Sequence, residues 1–471
     1  MDELDDFGED FFSEGAMEEA RRFESMMENQ QTFFFDLATI EEIYHFYRLS
    51  GDFEKAVRLI DFAISQHPAD DDLFFKSASV KMDVGDFAGA LMNINQALTL
   101  KTGFIPYIIL KSQIYTSQGL TSKAIQLLKE VLDTSEEPAE LYFQLGMVYH
   151  SVQSFEDAAF FYHKALEAQP DFEDALFECV FCLEMIGKVD HGIAAYEKYL
   201  DTYPYSHPVW YNLGILFAKL GMHEKAIDAY DYALAIDDDF TSAWYNKGCS
   251  LMELGKYEEA IRGFLEALRH DKQDTATLFG IGECYDQLGD TPNARYYYRK
   301  CTQISPEMAE GWYGIGYSLE QEEKYFEAIH YYRKALVADP EHYDSWVSLA
   351  FCEYHAGNEV SAWEAFHEAI KRNSGDAALW TDWAILLKDE DKAEEALVLL
   401  HEGITQNPEM TELFYLFAGM SFSVGKSREG FVYLENALLM DFDKHHMLFE
   451  FFAELKQFQP VIDLIRQYKG R

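Results

Sequence analysis

The chain has 471 residues, of which 48% are hydrophobic and 16% aromatic, so it can bury a large core and is not mainly disordered. Acidic residues outnumber basic ones by 83 to 38, for a net charge of −45. This charge favours basic proteins as partners over direct binding of nucleic acid or membranes. The alternative is that the negative charge only keeps the protein soluble. Six cysteines are too few for a disulfide framework. The sequence has no signal-like N-terminus and no apolar run of about 18 residues, so the chain is expected to be cytoplasmic.

Residues 1–36 form an acidic N-terminal segment with twelve acidic and two basic residues. Phenylalanines are interspersed, and Met17 to Gln30 are compatible with one helix. Acidic segments with scattered aromatic residues often act as binding motifs that fold on contact. Residues 1–14 fit that interpretation better. For residues 15–36 the favoured alternative is a cap, in which Phe33 to Phe35 cover the first repeat.

From Leu37 to Lys444 the sequence repeats every 34 residues without insertion or deletion. Places are counted from the first residue of each unit, so Leu37 is place one. Place twenty is alanine or glycine in all twelve units, from Ala56 to Gly430, and a larger side chain there would push two helices apart. Place fifteen is glycine in nine units, where a helix can end in the left-handed conformation: Gly51, Gly85, Gly119, Gly187, Gly221, Gly255, Gly289, Gly357 and Gly425. The period therefore predicts twelve helix hairpins.

Four further places complete the pattern. Place four is large and apolar, place eight is mostly small, place twenty-seven is mostly alanine, and proline closes six units at place thirty-two. This pattern resembles the tetratricopeptide repeat, and the stretch from Trp210 to Ala233 matches it almost completely. The resemblance implies an all-α, right-handed superhelical solenoid of tandem helix-turn-helix repeats. First helices would line its concave surface and second helices its convex one.

Some units depart from the pattern. Val131 and Glu136 in the third unit, Tyr199 in the fifth and Asp391 in the eleventh replace preferred residues, and we expect local changes of packing angle there. The last segment, residues 445–471, resembles a shortened hairpin whose polar and basic residues cap the array. The predicted organisation is thus an acidic segment (1–36), twelve repeats (37–444) and a C-terminal capping half-repeat (445–471).

No motif predicts catalysis, a cofactor or a metal. Cys179 and Cys182 form a CxxC pair, but no second ligand pair lies near it, and both fall at places that face the core. The pair Glu42 and His45 lies far along the chain from the similar pair in the tenth unit, so a di-metal site is disfavoured. We therefore expect no enzyme.

Two other patterns have structural interpretations. Gly280 to Gly282 and Gly314 to Gly316 resemble fragments of phosphate loops, but they lie mid-helix at packing places. The aspartate clusters Asp70 to Asp72 and Asp237 to Asp239 lie at unit junctions, where they can cap the next helix.

In the family, places two, five, six, nine, twelve and thirteen face the concave groove. Units four to six have several large apolar residues at these places, and units seven to nine combine acids with aromatic residues. The favoured interpretation is a groove for an extended segment or helix, with apolar anchors on the first stretch and Lys or Arg on the second. The alternatives are structural, half-exposed aromatic residues and a solvated acidic face. The predicted partner-binding residues are Phe143, Met147, Phe177, Phe181, Met185, Tyr211, Asn212, Ile215, Tyr245, Asn246, Glu253, Phe279, Glu283, Asp286, Glu310, Tyr313 and Glu320.

The sequence thus predicts a non-enzymatic scaffold that binds a basic or mixed basic–apolar segment of another protein. Two alternatives remain open. The chain could self-assemble into homo-oligomers through its terminal repeats, or its acidic surface could mimic nucleic acid towards a basic protein.

Overall fold

The computed structural model describes residues 14–29, 33–269 and 271–469. Within these ranges the chain forms helices and turns, and no strand. The helices fall into two compact units, which divide between Leu216 and Phe217. In each unit consecutive helices pack on one another in chain order. The predicted all-α solenoid of tandem hairpins is thereby confirmed.

In the first compact unit, one helix precedes a series of hairpins. Its helices are α1 (Glu14–Glu28), α2 (Leu37–Leu49), α3 (Phe53–Gln66), α4 (Asp71–Asp83), α5 (Phe87–Leu100), α6 (Ile105–Ser117), α7 (Thr121–Leu132), α8 (Ala139–Ser151), α9 (Phe155–Ala168), α10 (Glu173–Met185) and α11 (Val189–Thr202). The division between the units falls inside α12 (His207–Lys219).

The second compact unit also consists of hairpins and ends in shorter helices. Its helices are α13 (His223–Ile236), α14 (Thr241–Glu253), α15 (Tyr257–Ala267), α16 (Thr275–Gln287), α17 (Thr291–Ile304), α18 (Ala309–Glu320), α19 (Tyr325–Ala338), α20 (Tyr343–His355), α21 (Glu359–Arg372), α22 (Ala377–Asp389), α23 (Ala393–Gln406), α24 (Thr411–Ser423), α25 (Ser427–Met440), a 3-10 helix (Phe442–His445), α26 (His446–Phe451), a second 3-10 helix (Ala453–Gln457) and α27 (Gln459–Tyr468).

One left-handed residue makes the turn inside each hairpin. The nine glycines at place fifteen have φ between 70° and 81°. Gln153, Glu323 and Asp391 stand at the same place in the other three units, and each has φ 59°. The turn therefore forms without glycine, at a steric cost of about 1 kcal/mol for a side chain in this region.

Helices approach closely where side chains are small. A Cβ on Gly192, at place twenty, would lie 2.9 Å from the side chain of Val180, at place eight of the same unit. These two places therefore face each other, as the sequence predicts. At four of the glycines in place eight an aromatic ring lies over the backbone; at Gly146, for example, a Cβ would lie 2.5 Å from the ring of Tyr162.

The tryptophans at place four join successive hairpins. Each indole Nε1–H donates a hydrogen bond of 2.8–2.9 Å to the carbonyl oxygen six residues earlier, in the turn that ends the preceding unit. The donors are Trp210, Trp244, Trp312, Trp346 and Trp380. These rings were expected to fill the gap between units, and their N–H groups also fix the turn there.

At the N-terminal end, α1 packs on α2 and places its apolar face on the first hairpin. The ring of Phe23 lies 6.1 Å from that of Phe35 and 5.6 Å from that of Phe62. Phe35 is buried, whereas Phe33 and Phe34 are 41% and 70% exposed. Of the three phenylalanines expected to cover the first repeat, Phe35 is thus the one in the core. The binding motif predicted for residues 1–14 lies, apart from its last residue, outside the described residues.

At the C-terminal end, α26 and α27 pack on α24 and α25. Phe452 is fully buried and lies against Gly419, where a Cβ would approach its ring to 2.2 Å. The 3-10 helix Phe442–His445 spans the boundary predicted at residues 444 and 445. The division of the chain into an acidic segment, repeats and a cap stays a prediction.

The two aspartate clusters differ. Asp70 Oδ1 accepts hydrogen bonds from the backbone of Asp72 and Leu73 and caps α4, as predicted. The prediction is wrong for Asp237 to Asp239, because α14 starts after Phe240 with no side-chain cap. The backbone carbonyl of Asp238 instead accepts a hydrogen bond from the indole N–H of Trp244.

Candidate partner-binding site

Two acidic side chains lie one turn apart on α16, at places nine and twelve of the eighth unit. Glu283 and Asp286 are both half-buried. Burial raises the pKa of each carboxyl group, and for Glu283 the negative charge of Asp286 adds to this rise. Within the described ranges, Glu283 has no hydrogen-bond or ion-pair partner, and the buried Asp286 Oδ1 has no hydrogen-bond partner. The pair is therefore a partly desolvated negative charge with incomplete compensation.

Tyr298 of α17 orients one of these carboxylates. Its hydroxyl donates a hydrogen bond of 2.7 Å to Asp286 Oδ2. The tyrosine ring lies between two glycines, because a Cβ would approach it to 2.5 Å from Gly282 and to 2.6 Å from Gly314. Glycine at place eight of one unit and at place six of the next therefore makes room for the ring.

The cation whose charge acts on Asp286, Arg295, is committed to other groups. Arg295 lowers the pKa of Asp286, but its Nε donates to Ser318 Oγ at 2.9 Å and its Nη2 to the Ser318 carbonyl at 3.0 Å. The same Nη2 lies 2.8 Å from Glu322 Oε1. Arg295 thus joins α17 to the following hairpin, and its direct contacts are with Ser318 and Glu322 rather than with the acidic pair.

The following hairpin has a similar arrangement. The Tyr332 hydroxyl donates to Glu320 Oε2, and a Cβ on Gly316 would lie 2.7 Å from the Tyr332 ring. Tyrosine at place twenty-four thus holds an acid at place twelve of its own hairpin in two consecutive units.

The predicted aromatic residues at place five pack on the ring at place twenty-four of the same hairpin. Their centroids are 5.4–6.3 Å apart, and the first rings are half-buried. The pairs are Phe143 with Tyr162, Phe177 with Tyr196, Tyr245 with Phe264, Phe279 with Tyr298, and Tyr313 with Tyr332. These rings therefore stabilise the hairpins and keep only part of their surface exposed.

Three of the predicted apolar residues at places nine and thirteen are more exposed. Met147, Phe181 and Met185, on α8 and α10, are 42%, 43% and 55% exposed. Phe181 stacks on His150 with centroids 5.3 Å apart, and His150 Nδ1 lies 3.0 Å from Glu178 Oε2. An apolar surface beside an acid is thus present in the first compact unit.

The remaining predicted residues have varied environments. Tyr211, Ile215 and Asn246 are half-buried. Asn212 Nδ2 donates to the Pro208 carbonyl of its own helix at 2.8 Å. The two other acids, Glu253 and Glu310, are exposed and have no ion pair with any described residue. Of the predicted residues, the structure brings Phe279, Glu283 and Asp286 together around Tyr298.

Comparisons with known families agree with the hairpin geometry. Models of the tetratricopeptide repeat match residues 139–172, 207–240, 245–309 and 309–342. The chain is a tetratricopeptide repeat protein.

This tetratricopeptide repeat protein has a curated relative of a different length. It is 24% identical over 149 residues to the probable UDP-N-acetylglucosamine–peptide N-acetylglucosaminyltransferase SPINDLY of Hordeum vulgare. The match covers 30% of this chain and 16% of the relative.

Similar solved structures include three repeat proteins. MamA is 24% identical with a TM-score of 0.33, and the match covers 34% of this chain and 93% of MamA. YrrB, described as a TPR protein with an unusual peptide-binding site, is 22% identical with a TM-score of 0.35, covering 42% of this chain and 98% of YrrB. The APC/C hetero-tetramer Cut9–Hcn1 is 15% identical with a TM-score of 0.38, covering 83% of this chain and 96% of the matched chain.

Sequence reasoning missed the tyrosine that holds the acid. Tyr298 and Tyr332 recur at place twenty-four with an acid at place twelve, and that pairing is readable from the period once the two places are known to touch. Arg295 gave no such signal, because its neighbours Ser318 and Glu322 lie in the next unit.

The tetratricopeptide repeat core also holds the cysteines. Cys179 and Cys182 are buried thiols whose pKa values burial raises, to about 11 and about 12. Among the described residues no three potential ligands lie together as a metal site, and none of the described helices has the length and apolar character to cross a bilayer.

Proposed function

We propose that this tetratricopeptide repeat protein binds a basic or mixed basic–apolar segment of another protein, and that Glu283 and Asp286 receive an arginine or lysine side chain of that segment. Repeat arrays of this kind present extended surfaces on which protein partners bind. The observation that carries the finer proposal is the acidic pair on α16, which is partly desolvated and incompletely compensated.

A cation at the pair would relieve an unfavourable arrangement. Two carboxylates one turn apart repel each other, and burial of both disfavours their charged forms. An ammonium or guanidinium group would supply the opposite charge and donate to the Glu283 carboxylate, whose oxygens are not fully buried and have no partner within the described ranges. Since Arg295 is held by Ser318 and Glu322, a side chain of a partner is the source that we propose for this cation.

Neighbouring aromatic rings support the same ligand. Phe279 lies one turn before Glu283 on α16. Burial is the main cause that raises the pKa of Tyr245 to about 12, and the negative charge of Glu283 contributes to the same rise. Both rings are half-buried. Carboxylates beside partly exposed aromatic faces suit a guanidinium, which can bind the acid and stack on the ring.

The second part of the proposal concerns apolar side chains of the partner. Met147, Phe181 and Met185 present an exposed apolar surface in the first compact unit, and such surfaces commonly bind partners. Methionine is flexible and adapts to different apolar side chains. An apolar side chain of the partner is the chemistry that this surface favours.

A binding experiment with defined probes tests the proposal. The probe is a fluorescent peptide of alternating arginine and leucine, and its counterpart has glutamate in place of arginine. Fluorescence anisotropy with the full chain is expected to show binding of the arginine peptide alone, with an affinity that falls as salt is raised.

A matched pair of variants locates the site. The double variant Glu283→Gln/Asp286→Asn is expected to weaken binding about tenfold, the effect of roughly 1.4 kcal/mol. The control Glu258→Gln/Glu259→Gln removes the same charge from an exposed turn of α15 and should change affinity less than twofold. Equal losses in both variants would show that net charge alone attracts the peptide, and the assignment to α16 would then be wrong.

A further inference from the structure

The last helices border a cavity of about 350 Å³ that is open to solvent on one side, and its volume lies within the range of roughly 300–1,000 Å³ typical of ligand pockets. Phe442, Phe449 and Ile462 form an apolar wall, and each is half-buried. The ring of Phe442 lies 4.7 Å from that of His445 at the edge of the cavity. Space bounded by partly exposed aromatic and aliphatic side chains suits an apolar side chain of a ligand.

All the charged side chains that line this cavity are basic: Lys456, Arg466 and Lys469. Acidic residues outnumber basic ones by 83 to 38 in the whole chain, so the cavity has the opposite charge to the average surface. Lys456 and Lys469 are exposed and have no ion pair within the described part of the chain. Arg466 has one loose contact, 3.7 Å from Asp463. This positive charge is therefore available to an anionic ligand.

One segment of the chain has the complementary chemistry. Residues 1–13 contain six acidic residues and no basic residue, with Leu4, Phe7, Phe11 and Phe12 among them. These residues lie outside the described ranges. An apolar cavity with a basic rim matches an acidic segment with phenylalanines in both charge and hydrophobicity.

We propose that the C-terminal cavity binds residues 1–13 of a second copy of this chain. A phenylalanine enters the apolar wall, and neighbouring carboxylates pair with Lys456, Arg466 and Lys469. The contact is heterologous, because each copy offers a different surface at each end, so it can add further copies in the same way. Since the pairing is exposed, it weakens as ionic strength rises.

Sedimentation velocity of the full chain tests the association. At low salt the average mass is expected to rise with protein concentration, and this rise should disappear at high salt. Lys456→Glu/Lys469→Glu should weaken association at least tenfold. The control Lys256→Glu/Lys272→Glu makes the same charge change at exposed positions away from the cavity and should leave association unchanged within the effect of net charge.

A labelled peptide of residues 1–13 identifies the ligand. It is expected to bind the full chain, to bind Lys456→Glu/Lys469→Glu more weakly, and to lose affinity when its three phenylalanines are replaced by alanine. Binding that is insensitive to the cavity variant would overturn the site. Peptide binding by a chain that stays monomeric at every concentration would overturn the second copy and indicate that the segment docks on its own chain.

Discussion

The hydroxyl of Tyr298 donates a 2.7 Å hydrogen bond to Asp286, while the other carboxylate oxygen of Asp286 is buried without a partner in the described structure. One side of this carboxylate is thus held by its own hairpin, and the other faces a desolvated space. This asymmetry leads to predictions about both stability and binding.

Tyr298→Phe should lower the free energy of unfolding by about 2 kcal/mol, since it removes a hydrogen bond to a charged, half-buried group. The ring would still fit between its two glycines, so the loss reports the hydroxyl. Urea denaturation measures the change. Tyr296→Phe, which alters an exposed ring on the same helix, is the control and should change stability by less than about 0.5 kcal/mol. Equal effects of the two variants would contradict the role of the hydrogen bond.

Glu283→Gln should stabilise the chain at neutral pH and weaken peptide binding. The pKa of Glu283 is raised above its ordinary 4.5 in the folded chain, so the contribution of this carboxyl to stability falls as the pH rises through the raised pKa. The variant should therefore exceed the parent by roughly 0.5 kcal/mol at pH 7.

That difference should shrink as the pH falls through the raised pKa and below the ordinary 4.5, where the parent carboxyl becomes protonated in the unfolded as well as the folded state. Thermal unfolding over this pH range measures it. Glu258→Gln on α15 is the control and should show no such pH-dependent gain. A variant less stable than the parent at neutral pH would show that Glu283 is already compensated in the folded chain.

Gly282→Ala should destabilise the chain by about 1–3 kcal/mol, the usual cost of overpacking a close contact. Its Cβ would lie 2.5 Å from the Tyr298 ring, which Gly314 blocks from the other side. Gly375→Ala adds the same methyl group where the nearest atom is 3.5 Å away and should have little effect. Denaturant unfolding compares them, and tolerance of Gly282→Ala would mean that the ring moves freely.

Glu323→Gly should stabilise the chain by about 0.5–1 kcal/mol, because Glu323 holds a left-handed φ of 59° that glycine adopts without steric cost. His330→Gly, at an exposed position inside α19, is the matched change and should cost about 1 kcal/mol. Opposite signs in thermal unfolding are the expected result. A loss at both positions would mean that the carboxylate of Glu323 contributes more than its backbone costs.

Much of the fold could be predicted because backbone and packing constraints recur at fixed places. Place fifteen shows this, since the non-glycine residues Gln153 and Asp391 adopt the same turn as the glycines. The period identified the position even where the residue type gave no sign. Asp237 to Asp239 show the limit, because composition at a junction does not decide which residue starts the next helix.

The candidate site was less predictable. Glu283 and Asp286 were predicted from their places, but the hydrogen bond from Tyr298 to Asp286 and the packing of Gly314, in the next unit, on the Tyr298 ring are visible only in the structure. Exposure also could not be predicted from the period. Phe279 at place five and Phe181 at place nine were both expected to face the groove, but they differ in how much of each ring packs on the hairpin. Contacts between units require coordinates.

The indole hydrogen bonds at the junctions have a consequence for how the array comes apart. Trp312 and Trp346 each satisfy a carbonyl that belongs to the hairpin before their own. When one hairpin unfolds, the closing turn of the hairpin before it loses the hydrogen bond from the indole of the unfolded hairpin. The indole of the hairpin after it loses its acceptor if the closing turn of the unfolded hairpin no longer places the carbonyl there. Fraying is therefore transmitted in both directions from a broken hairpin, and neighbouring repeats should melt together as a cooperative block.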